Sequence, residues 1–121
     1  MSSTILVVDD SITMRQMVAH VLRLSGYDVL EAEDGEHALE LARAHRVDAV
    51  LTDHNLPGID GLELVRTLRG SRTYREKPIL VLTTEKSEEL REAHRAAGAT
   101  GWMVKPFDPE RLVQVLRSVL A

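Results

Sequence analysis

Four places in this chain carry side chains that could do chemistry together: Asp9-Asp10, Asp53, Thr83-Thr84-Glu85 and Lys105-Pro106. Three aspartates brought within a few ångströms of one another repel, by about 1 kcal/mol per pair in water and about 4 kcal/mol at an effective dielectric near 20. A hard divalent cation removes that repulsion. Mg2+ takes oxygen ligands, keeps several waters, and is usually held by one or two carboxylates together with phosphate oxygens. The three carboxylates of Asp9, Asp10 and Asp53, the ammonium of Lys105 and one such dication balance to zero charge. That cluster is poised for a phosphate dianion.

Each residue also has an ordinary reading. Asp10, followed by Ser11, is a candidate N-cap. Asp53 could be a turn residue before Leu56-Pro57-Gly58, Lys105 a solvated loop lysine, and Thr83 a plain strand-end threonine. The five histidines (His20, His37, His45, His54 and His94) lack ligand spacing and read as surface or partly buried, with His54 of interest only because it follows Asp53. The reactive reading therefore depends on whether the fold collects these residues on one rim.

The hydrophobic pattern says that it does. Ile5-Leu6-Val7-Val8, Ala49-Val50-Leu51, Ile79-Leu80-Val81-Leu82 and Trp102-Met103-Val104 are short apolar runs that do not alternate with polar residues. Such runs read as strands buried on both faces, as in parallel sheets. Asp28-Val29-Leu30-Glu31-Ala32 alternates and reads as an edge strand. Helical spacing fills the intervals: Met14, Val18, Val21 and Leu22, stopped by Gly26; Ala38, Leu41 and Ala42 after Asp34-Gly35; Leu62, Val65 and Leu68 ending near Gly70; Leu90, Ala93 and Ala97 before Gly98; and Leu112, Leu116, Val119 and Leu120. The last of these begins on Asp108 as N-cap and Pro109 at the first helical position. Five β-α units imply an α/β fold, a parallel sheet with helices on both faces. Ligands of open α/β sheets bind at the carboxyl ends of the strands, and all four reactive groups follow a strand.

Composition narrows the class. The chain has 121 residues, 44% of them hydrophobic and 28% charged. Its folded surface should be roughly 6,500 Å², which suits one core and one domain over residues 1–121 with no output domain. The net charge of −4 argues against a broad nucleic-acid footprint. The absence of cysteine excludes disulfides, thiolate metal sites and a thiol nucleophile. No apolar run is long enough to span a membrane and no signal peptide is visible, so the expected compartment is the cytoplasm. Only four residues are aromatic, and two of them, Trp102 and Phe107, flank Met103-Val104-Lys105-Pro106. The core is accordingly expected to consist of Val, Ile, Leu, Met and Ala.

Taken in order, Val7-Val8-Asp9-Asp10-Ser11, Thr52-Asp53-His54-Asn55-Leu56-Pro57-Gly58-Ile59-Asp60-Gly61, Thr83-Thr84 and Val104-Lys105-Pro106-Phe107 closely resemble response-regulator receiver domains, and the stand-alone chemotaxis (CheY-like) type most. The resemblance runs the length of the chain. It implies a doubly wound, flavodoxin-like (βα)5 three-layer sandwich with strand order 2-1-3-4-5. It implies a two-component phosphorelay protein, not a conventional enzyme, that takes a phosphoryl group from a sensor histidine kinase or a small acyl phosphate. Asp53 would be the phospho-acceptor. Mg2+ would be held by Asp10, Asp53 and the backbone carbonyl of Asn55, with Asp9 acting through a water. Lys105, joined to Pro106 by a cis bond, would pair with the phosphoryl oxygens, and Thr83 would hydrogen-bond to them. Asn55 and Glu85 would tune self-dephosphorylation. Thr83 and Trp102 would form the switch that alters the face of the fourth helix, fifth strand and fifth helix, presented by a monomer to a downstream protein, with chemotaxis as the leading process.

Two departures stand out. A tryptophan occupies the switch position, usually Tyr or Phe, and it has no phenol hydroxyl. The last helix carries only Arg111 and Arg117 as basic residues, unlike the lysine-rich helix of motor-binding members. Other readings are weaker. A flavin or nucleotide module needs a phosphate-cradling loop after the first strand, where this chain has two acids. An aspartyl phosphatase needs a substrate-covering cap, and no segment is long enough to supply one. A receiver excised from a hybrid kinase, or one used only as a non-phosphorylated interaction module, remains as the alternative.

Overall fold

The computed structural model describes residues 2–121. The elements are β1 (Thr4–Val8), α1 (Ile12–Leu24), β2 (Asp28–Ala32), α2 (Gly35–Ala44), β3 (Ala49–Thr52), α3 (Gly61–Arg69), β4 (Ile79–Thr83), α4 (Glu88–Ala97), β5 (Gly101–Val104) and α5 (Pro109–Leu120). The strands form one parallel sheet in the order β2-β1-β3-β4-β5, as the flavodoxin-like expectation requires. The accessible surface is 6640 Å², close to the area expected from chain length. Among the described residues no helix is long and apolar enough to cross a membrane.

Successive side chains of a strand point to opposite faces, so each central strand feeds two cores. Leu6, Val8, Val50 and Ile79 pack with Ala38 and Ala42 of α2 and Leu64, Val65 and Leu68 of α3. Ile5, Val7, Ala49, Leu51, Leu80 and Leu82 pack on the other side with Val18 and Leu22 of α1 and Leu112 and Leu116 of α5. This is why the central strands read as unbroken apolar runs. The third helix buries Leu64 with Val65 and Leu68, while Leu62 is only half-buried.

Three expectations change. Trp102-Met103-Val104 is not buried on both faces: in β5, at the edge where the expected strand order places it, every residue is half-buried. The core is not free of aromatics: Tyr74, in the α3–β4 connection, is buried, and its hydroxyl donates to Ala42 O at 2.5 Å and His45 O at 3.0 Å. A lone tyrosine in a polar loop carries no periodic signal, which is why pattern reading misses it. Lastly, Asp10 does not cap α1. Ser11 does, its hydroxyl accepting the Met14 N–H at 3.2 Å, and Asp10 is left exposed.

Two local devices fix the positions of loops around the sheet. Arg69, at the end of α3, donates to Gly98 O (2.9 Å), Tyr74 O (2.7 Å), Lys77 O (2.6 Å) and Thr100 Oγ1 (3.3 Å), so one guanidinium ties three segments together at the amino ends of the strands. Gly98 follows α4 with φ of 107°, a left-handed conformation that favours glycine. At the opposite end, Gly61 starts α3 against the backbone that carries Asp53, donating its N–H to His54 O at 2.8 Å. A Cβ there would lie 2.3 Å from Asp53 O and 2.6 Å from His54 Cα. Gly61→Ala should therefore lower the unfolding free energy by about 1–3 kcal/mol, the usual cost of overpacking. Gly70→Ala, where a Cβ meets nothing nearer than 3.5 Å, should stay within about 0.5 kcal/mol of the parent. Urea denaturation of the two variants checks the contrast, and equal stabilities would refute it.

Candidate phosphoryl site at the carboxyl ends of the strands

The end of β1 carries Asp9, the end of β3 carries Asp53, and the end of β5 carries Lys105, the last reaching across the end of β4. The backbone extends the sheet just far enough to seat all three. Asp9 N–H donates to Ala32 O at 3.1 Å, Asp53 N–H to Val8 O at 3.0 Å and Lys105 N–H to Thr83 O at 2.8 Å. The bond from Lys105 to Pro106 is cis, as the family resemblance implied.

Lys105 Nζ donates to Asp9 Oδ2 at 2.6 Å and to Asp53 Oδ2 at 2.8 Å. The residues are 8%, 4% and 7% exposed, respectively. Burial by itself works to raise the pKa of Asp53, but the hydrogen bond from Lys105 and its positive charge outweigh it and hold the carboxyl below the usual range. Burial likewise works to lower the pKa of Lys105, and the bonds to Asp53 and Asp9 outweigh it in the other direction. Asp53 and Lys105 are therefore both ionised at neutral pH.

Each carboxylate keeps a second oxygen with lone pairs to offer. Among the described residues Asp9 Oδ1 accepts the Ser11 N–H at 3.0 Å, and Asp53 Oδ1 accepts the Asn55 N–H at 3.2 Å. Asp10 is exposed beside them, with no side-chain hydrogen bond among the described residues. The nearest nitrogen donor in sequence, His54, is turned to His94 instead: His54 Nδ1 lies 3.0 Å from His94 Nε2. An oxygen-only donor set of this kind suits a hard cation such as Mg2+. Among the described residues no three acidic, histidine or cysteine side chains gather closely enough to hold a metal ion by themselves.

Other residues singled out from the sequence stand around this cluster. Thr83 is fully buried at the end of β4, and its hydroxyl accepts the Glu85 N–H at 3.3 Å. The Asn55 side chain is exposed and Glu85 is half-buried. Trp102 pairs with Val81 in the sheet ladder, one layer below the Thr83–Val104 pair. Its indole leans on His94, with ring centroids 5.5 Å apart at 58°.

His94 is the residue that the sequence reading misjudged. It is neither surface nor partly buried: it is 1% exposed, on the inner side of α4. Burial first, and then the neighbouring His54, pull its pKa down to about 4, so the ring is neutral at pH 7. The signal was present in the spacing. Leu90, His94 and Ala97 follow the same i, i+4, i+7 stripe that marks the buried face of a helix.

Comparison with known proteins agrees with this geometry. Residues 5–117 match the model of the response regulator receiver domain. The chemotaxis protein CheY homolog of Campylobacter jejuni is 42% identical over 118 residues, covering 96% of this chain and 91% of that one. Chemotaxis protein CheY1 of Helicobacter pylori is also 42% identical over 118 residues, covering 96% and 95%. The structure of the chemotaxis response regulator CheY4 of Vibrio cholerae superposes with a TM-score of 0.93 at 46% identity, over 98% of this chain and 99% of that one. A family match over nearly the whole chain, the strand order 2-1-3-4-5 and the buried Asp–Lys–Asp cluster all agree, and the chain belongs to the response regulator receiver family as a CheY-like member.

Proposed function

We propose that this receiver accepts a phosphoryl group on Asp53, with Mg2+ as cofactor, from the phosphohistidine of a sensor histidine kinase or from a small acyl phosphate. The change it undergoes is read by a downstream protein on the face formed by α4, β5 and α5, in chemotaxis signalling. The observation that carries this reading is the buried Lys105 ammonium shared by Asp9 and Asp53 at the ends of β5, β1 and β3. It leaves an ionised aspartate beside a fixed cation and an exposed third acid, the arrangement that in-line phosphoryl transfer needs.

Phosphoryl transfer asks little covalent chemistry of the protein; positioning and charge neutralisation carry the rate. An Asp53 oxygen attacks phosphorus, the bond from phosphorus to the donor nitrogen or oxygen breaks, and the donor leaves with that electron pair. The product is an acyl phosphate on Asp53. Asp10, Asp53 and the Asn55 carbonyl would hold Mg2+, with Asp9 acting through a water; when bound, the ion neutralises charge on the transferring oxygens. Lys105 is placed to move from Asp53 Oδ2 to a phosphoryl oxygen without leaving Asp9. Thr83, at the end of the neighbouring strand, offers a hydroxyl to another oxygen. The added charge of about −1.5 to −2 then shifts the balance between two packings of Thr83 and Trp102.

Asp53→Asn should abolish Mg2+-dependent incorporation from acetyl phosphate, read by intact-mass spectrometry. Undiminished labelling of that variant would overturn the assignment. Lys105→Met should move the titration of the Asp53 carboxyl upward, because the cation that lowers its pKa is gone while burial remains. The nucleophile would then be lost at a higher pH on acidification. Carbon-13 spectra of the labelled aspartates check this, and an unchanged or lower value contradicts it. Replacing Asn55 and Glu85 together by apolar residues should lengthen the acyl-phosphate lifetime, since both side chains can orient an attacking water; an unchanged decay rate would remove them from that role.

A further inference from the structure

His94 Nδ1 is a buried side-chain nitrogen without a hydrogen-bond partner among the described residues. Buried polar atoms are nearly always paired, so an orphan inside a switching protein asks which state supplies its partner. The ring is neutral at pH 7, pulled there by burial, so one of its nitrogens carries a hydrogen and the other does not. Its Nε2 faces His54 Nδ1 at 3.0 Å, and the two rings meet edge to face with centroids 5.1 Å apart. With both rings in the Nε2–H form, His94 donates to His54, and His94 Nδ1 is left as a bare acceptor.

The other ring against His94 belongs to Trp102, whose indole N–H is a donor and nothing else. Trp102 is half-buried on the edge strand. A groove of about 320 Å³, lined by Glu88, Arg91, His94, Arg95 and Trp102 among others, lies beside the two rings. The two ring centroids are 5.5 Å apart and the rings are tilted by 58°, so the indole already stands in contact range of the imidazole.

We propose that His94 Nδ1 is the acceptor on which the Trp102 indole N–H docks when the ring turns inward, so that His54 and His94 carry the state of Asp53 to the face of α4 and β5. This rests on the phospho-receiver reading above and deepens it. His54 is covalently next to Asp53, and its ring fixes one edge of His94; a displacement of the Asp53 loop therefore moves the acceptor that Trp102 must reach. Phenylalanine at position 102 would have no donor at all. The proposal gives the tryptophan at 102 and the buried histidine at 94 one shared purpose, with His94 as a positioning residue.

The test uses the full chain with nitrogen-15 label. Trp102 is the sole tryptophan, so the spectrum holds a single indole N–H signal. Beryllofluoride and Mg2+ are added, and fluorine-19 spectra report whether the anion binds. The expected result is bound beryllofluoride, a downfield move of the indole proton and at least several-fold slower exchange of that proton with water. His94→Phe keeps an aromatic ring in the space but removes the acceptor; it should still bind beryllofluoride and lose the indole response. His94→Gln, which restores an acceptor oxygen, should recover part of it. Bound anion with no indole response in the parent chain overturns the docking proposal alone, as does an undiminished response in His94→Phe. Absence of bound anion in the parent overturns the phospho-receiver reading and the docking proposal with it.

Discussion

A single ammonium group holds the working end of this molecule together. Asp9 and Asp53 are placed side by side by adjacent strands, in a region that water barely reaches, and two buried carboxylates that close cannot both stay ionised without a cation. Lys105 supplies it from the far side of β4. In the order β1-β3-β4-β5 the lysine, just past the end of β5, crosses the end of β4 at Thr83 to reach its two partners. Breaking such a group by removing one member costs several kcal/mol, since the remaining charges have no other partner. The sheet topology and the charge cluster are thus one constraint seen from two ends.

Much of this was readable before any coordinates. Asp9, Asp53 and Lys105 each follow an apolar run, and the rule that α/β sheets work at their carboxyl ends turned three separate residues into one site. The period-two split of Ile5 and Val7 from Leu6 and Val8 likewise announces two cores, one per face. What resisted reading has physical causes. Tyr74 sits in a polar connection and is buried only because its hydroxyl finds two free carbonyls at the end of α2. The apolar run of β5 reads as buried on both faces, yet a strand at the sheet edge is only half-covered. His94 was dismissed because histidine is usually a surface residue, and its partner His54 is 40 positions away in sequence.

The departure at position 102 changes meaning in this light. A tryptophan where tyrosine or phenylalanine is usual looks at first like a loss of function, because the phenol hydroxyl is gone. The indole brings its own donor, on the side of the ring rather than at its tip. A donor there suits an acceptor in the adjacent helix, and α4 provides a buried one. The aromatic scarcity of the chain therefore reflects deployment: Tyr74 locks a loop, and Trp102 stands against the buried face of α4.

The Arg69 clamp has a mechanical corollary. It grips Gly98 and Thr100, the residues just past the carboxyl end of α4, while Ser87 at the other end bonds only within its own helix among the described residues, to the Leu90 and Arg91 N–H groups. Any displacement of α4 that preserves the clamp is a pivot about its Gly98 end. A ten-residue helix is about 15 Å long, so a tilt of roughly 10° moves the Glu88 end by about 2.6 Å while the Gly98 end hardly stirs. The helix is a lever hinged at the floor of the sheet, with its free tip at the rim where the acids lie.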